Sequence, residues 1–90
     1  MTMCLYSYSD RSGGYMHWSV DRSGARTDER MYFTLQGGGG ACSASGNWND
    51  YQSTEGYIYT YCGTPLRGIS YSTESGKNSS NGTHTTAWLY

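Results

Sequence analysis

Apolar and polar side chains alternate at period two through most of the chain. Tyr15 to Val20 puts Met16, Trp18 and Val20 on one face and Tyr15, His17 and Ser19 on the other. A strand sends successive side chains to opposite sides of its sheet, so this stretch predicts a half-buried β-strand with the Met-Trp-Val set inward. Arg30 to Gln36 repeats the pattern, with Met31, Phe33 and Leu35 opposed to Tyr32 and Thr34. Tyr57 to Cys62 is aromatic and β-branched without Gly or Pro, as strands are. Its Tyr57, Tyr59 and Tyr61 share one face, and Ile58, Thr60 and Cys62 the other. Leu5 to Tyr8, Arg67 to Thr73 and His84 to Tyr90 complete a set of six short strands.

Turn chemistry separates them. Ser9 to Gly14, Asp21 to Gly24 and Gly63-Thr64-Pro65 are rich in residues that take positive φ or pre-set it. Gly37 to Gly40 is a run of glycines with high backbone freedom and no side chain to pack, which predicts a mobile loop. It lacks the Lys and following helix of a phosphate-binding loop. Asn49 to Thr54 is dense in side-chain oxygens, and Glu74 to Ser80 is polar loop. Short strands with turns about every ten residues predict one all-β domain over 1–90, a small sandwich of two Greek-key motifs.

Composition agrees and removes some functions. Tyr (10), Gly (13), Ser and Thr suit pleated surfaces and turns. Six Lys and Arg are scattered and the net charge is −1, so a phosphate-tracking surface is absent and no nucleic-acid partner is expected. No apolar run approaches the roughly 20 residues of a membrane span, so no membrane partner is expected either. The start Met-Thr-Met-Cys-Leu shows no signal-peptide pattern.

Cys4, Cys42 and Cys62 are an odd set that allows one disulfide. A Cys42–Cys62 pair would tie the long first loop to the aromatic strand. Placed in that flexible loop, Cys42 is expected to be the most reactive thiol when reduced. His17 and His84 are the only bases near neutrality and sit among polar, strand-like residues, so no catalysis is expected.

A repeat divides the chain. Tyr6-Ser-Tyr-Ser-Asp-Arg11-Ser-Gly13 and Tyr61-Cys-Gly-Thr-Pro-Leu66-Arg-Gly68 share the spacing of aromatic, Leu/Arg position and Gly at an offset of 61 − 6 = 55. Asn49-Asp50-x-x-Ser53-Thr54 and Asn81-Gly82-x-x-Thr85-Thr86 then follow one hairpin each. This arrangement resembles the βγ-crystallin family, whose Greek keys carry an aromatic-x4-aromatic-x-Gly corner and, in calcium-binding members, an Asn/Asp-Asn/Asp-x-x-Ser/Thr-Ser loop. Leu66 and Arg11 depart from the second aromatic, Thr54 from the final Ser, and Gly82 from the acidic or amide position. The resemblance implies a first motif over about 3–55 with a Gly-rich insertion and a second over about 56–90.

It also implies Ca2+ as the partner, held by Asn49, Asp50, Tyr51 and Ser53, and by Asn81, Thr83 and Thr85. Each site would be completed by a carbonyl from the other motif. The chemistry is consistent, since calcium takes six to eight oxygens at about 2.3–2.6 Å. The plainer alternative is that these side chains only form Asx-turns. Two other functions stay open. A bacterial metalloproteinase inhibitor family looks similar in fold and carries a Cys-x-Tyr-Ser start like Cys4-Leu5-Tyr6-Ser7. A protease or other protein partner would then meet Cys62, Gly63, Thr64, Pro65 and Leu66, stiffened by the proline. A carbohydrate-binding module is the third, because the aromatics offer stacking faces.

Overall fold

The alternation resolves into strands in the computed structural model, described here for residues 1–20, 31–48, 54–72 and 82–90. Among these residues the strands are β1 (Thr2–Ser7), β2 (Gly14–Val20), β3 (Met31–Gly37), β4 (Cys42–Trp48), β5 (Thr54–Thr60), β6 (Arg67–Ser72) and β7 (Gly82–Thr85). All pairings are antiparallel. One sheet has the order β1-β2-β5 and the other β4-β3-β6-β7.

The two sheets meet along the predicted apolar sets. Met16, Trp18 and Val20 from β2 and Met31, Phe33 and Leu35 from β3 are buried, joined by Ile58 and Leu66. Trp18 stacks on Phe33 across the interface at 4.6 Å between centroids and 11° between planes. Gly56 makes room for it, because a Cβ there would lie 2.6 Å from the indole.

One end of the sandwich is tightly tied. The turn over 8–13, the 3-10 turn Gly38–Gly40 and the crossing at 61–66 all lie there. Gly63 N donates to Ser12 O at 2.9 Å, Gly38 N to Gly63 O at 2.8 Å and Gly39 N to Pro65 O at 3.2 Å. Leu66 and Leu89 exchange backbone hydrogen bonds, and Arg67 stacks over Trp88 at 4.3 Å. The register puts Val20 beside Thr54, and Met31 beside Trp48 and Ser72, which pairs in turn with Gly82. Val20, Met31, Trp48, Thr54, Ser72 and Gly82 therefore lie at the opposite end.

Several expectations need correction. Gly37–Gly40 is not a free loop: Gly37 ends β3, Gly38 and Gly39 donate to the 61–66 crossing, and Gly38, Gly39 and Gly40 hold positive φ. Cys42 begins β4 and is bonded to Cys62, so it does not lie in a flexible loop; Cys4 is the free cysteine. The aromatic strand runs Thr54–Thr60, ending before Tyr61 and Cys62. The last strand is Gly82–Thr85; beyond it Thr86 N donates to Gly68 O at 2.9 Å and Leu89 bridges to Leu66. The two stretches aligned by the repeat also differ: 8–13 turns between neighbours in one sheet, while 61–66 crosses between sheets.

Candidate functional site

The outer face of the β1-β2-β5 sheet carries most of the chain's tyrosine. Alternation turns Tyr15, His17 and Ser19 of β2 outward because their neighbours fill the core. Register then assembles three rows. Tyr6 and Tyr59 flank Tyr15, Cys4 and Tyr57 flank His17, and Thr2 and Glu55 flank Ser19. Tyr8 and Tyr61 lie just beyond the strand ends and add a fourth.

Their rings are packed on each other. Tyr6 and Tyr15 stack at 4.8 Å and 20°, and Tyr8 and Tyr61 at 5.5 Å and 24°. Tyr15 touches Tyr57, Tyr59 and Tyr8 at 5.8 to 6.4 Å, and His17 lies 4.8 Å from Tyr57. Direct cross-strand neighbours on one face are the pairs a sheet brings close enough for this. Tyr6, Tyr57, Tyr59 and Tyr61 remain 46%, 55%, 50% and 74% exposed, so the ladder faces solvent rather than the core.

Polar groups are interleaved with the rings. His17 Nε2 lies 3.0 Å from Glu55 Oε2, an exposed pair of small energetic weight. A hydrogen bond with the Tyr61 hydroxyl is the main cause that pushes the Tyr8 phenol up to about 12, with partial desolvation and neighbouring phenols adding to it. At the adjoining turn, the Asp10 carboxylate accepts from Ser12 N at 3.0 Å and from Ser12 Oγ at 2.7 Å, and these bonds hold its pKa below the usual value.

The other sheet presents a different outer face. Thr34 and Ser45 share a hydrogen bond, Arg67 Nε donates to Gln36 Oε1, and Tyr32 packs on Tyr71. A shallow depression lined by Tyr32, Thr34, Ser45 and Gly46 lies on it.

The residues singled out in the sequence fall as follows. Asn49, Asp50, Tyr51, Ser53 and Asn81 lie outside the described residues. Thr83 and Thr85 are exposed on β7, opposite Tyr71 and Ile69. Among the described residues no group of three or more His, Cys, Asp or Glu side chains is placed to hold a metal ion. Cys62 to Leu66 forms the inter-sheet corner. Cys62 is bonded to Cys42, the Gly63 and Pro65 carbonyls accept backbone bonds, and Leu66 is fully buried. The tyrosine ladder was half visible beforehand: Tyr57, Tyr59 and Tyr61 share a face by period, but only the register places Tyr6 and Tyr15 beside them. Compared with known families, curated proteins and solved structures, the chain matches no family model, no curated protein and no solved structure.

Proposed function

We propose that the protein is a non-enzymatic recognition domain that binds a neutral carbohydrate on the tyrosine face of the β1-β2-β5 sheet. One observation carries this reading: exposed, mutually braced tyrosine rings interleaved with His17, Glu55 and Ser19 on a single flat face. The C–H face of a sugar ring is apolar and meets the electron-rich face of an aromatic ring, while its hydroxyls need polar partners at the edge. Tyr61 gives one face to Tyr8 and leaves the other open. Because the rings support one another, little side-chain freedom is lost when a ligand docks.

The test is a titration with neutral oligosaccharides followed by amide chemical shifts. Shifts are expected at Tyr15, Tyr57 and Tyr59, and shifts confined to the opposite sheet would sink the assignment.

A second reading keeps calcium, on the βγ-crystallin-like Greek-key pattern and the oxygen-rich segments that begin at Asn49 and Asn81. The observation in its favour is that Trp48, Thr54, Ser72 and Gly82 lie at the same end of the sandwich, so both segments are anchored there. Thermal melts in calcium against chelator test it.

A further inference from the structure

We propose that Tyr8 and Tyr61 form an oxidative cross-linking site, at which peroxide and a heme peroxidase join the two rings by a carbon–carbon bond ortho to their hydroxyls.

The site is built by the backbone. Tyr8 follows β1 and Tyr61 follows β5, strands that are separated by β2. The glycine pair Gly13-Gly14 leads into β2 and lets the flanking chains close over it. A Cβ on Gly13 would collide with the Thr60 carbonyl oxygen and lie 2.8 Å from Tyr61 Cα, and one on Gly14 would collide with the Tyr6 carbonyl oxygen. Tyr8 N donates to Gly13 O at 2.9 Å and Gly63 N to Ser12 O at 2.9 Å, so both tyrosines are held from the same turn. The rings are stacked 5.5 Å apart at 24°, and the Tyr61 hydroxyl is the main cause of the raised Tyr8 phenol. Tyr61, at 74% exposure, gives an oxidant direct access.

The chemistry balances. Each phenol gives up one electron and its hydroxyl proton, and the peroxide takes both pairs to become two waters. The two phenoxyl radicals couple at ortho carbons. The two ring hydrogens at the new bond then return to the oxygens, which restores both phenols. The net change in the protein is the loss of two hydrogen atoms. The product would staple β1 to β5 across the end of the sheet.

The experiment treats dilute, full-length protein with hydrogen peroxide and a plant peroxidase. It reads dityrosine emission, intact mass and the cross-linked peptide. The expected result is a monomer lighter by two hydrogens whose cross-linked peptide joins Tyr8 to Tyr61. Tyr61→Phe and Tyr8→Phe, which keep the rings and the fold by circular dichroism, lose the emission. Tyr6→Phe keeps it, although the Tyr6–Tyr15 pair is closer at 4.8 Å. Emission that survives Tyr61→Phe, a bond mapped to another pair, or dityrosine found only in covalent dimers overturns the proposal.

Discussion

Ser70 is 1% exposed on β6, and its hydroxyl has no hydrogen-bond partner among the described residues. A buried, unpaired hydroxyl costs about 1–3 kcal/mol. Ser70→Ala removes it at little change in volume, so a stabilisation of about 1 kcal/mol is expected, seen as a higher urea midpoint at constant slope. A lower midpoint would mean that the hydroxyl is satisfied. Tyr8 makes a second residue-scale test. Its phenol is raised from 10.0 to about 12 in the folded state, chiefly by the Tyr61 hydroxyl. A raised folded value contributes stability fully present below the unfolded value and lost as pH rises through the folded one. That window runs from about pH 10 to about pH 12. Phenolate absorbance should show one late-titrating tyrosine, and Tyr61→Phe should bring it back toward 10. An unchanged titration in Tyr61→Phe would remove the hydrogen bond from the account.

Element by element, the covalent tie between sheets is Cys42–Cys62, from the start of β4 to just beyond the end of β5, with a sequence separation of 20. Closing a loop of this size restricts the unfolded chain by about 3 kcal/mol. Reduction should therefore lower the melting temperature by roughly 12–24 °C, at 4–8 °C per kcal/mol. Before reduction only Cys4 should take an alkylating reagent. A melt indifferent to reductant, or fast labelling of Cys42, would contradict the tie. The elements differ in how clearly they could be read beforehand. β2 and β3 were plain because each sets three large apolar residues against polar ones, and those sets are the core. β4 was missed because it is an edge strand that opens Cys-Ser-Ala-Ser-Gly, small residues with no apolar alternation, which read as loop. The glycine run before it looked free because the bonds that hold it come from residues 63 and 65, far along the chain. Leu66 was taken for a presented side chain because nothing local reveals its pairing with Leu89. The tyrosine face needed the cross-strand register, which no single strand encodes.

At the scale of the molecule, the calcium reading concerns one end of the sandwich and the carbohydrate reading one face. Calcium bound by the oxygen-rich loops 49–54 and 81–86 would stabilise the native state by RT ln(1 + [L]/Kd), about 2.7 kcal/mol at a hundredfold excess over Kd. Asp50 is the only carboxylate in the two oxygen-rich loops. A rise in melting temperature in millimolar calcium, largely lost in Asp50→Ala, would support that reading, and identical melts in calcium and chelator would end it. The tyrosine face makes a separate demand. Affinity electrophoresis of the native protein through gels containing neutral polysaccharides tests it most directly, with Tyr57→Ala and Tyr59→Ala run alongside. Both tyrosines are about half exposed, so the variants should keep the wild-type circular dichroism. The account predicts that at least one polysaccharide retards the wild type and that both substitutions restore free mobility. Unretarded wild type in every gel, or retardation that survives both substitutions, would contradict it.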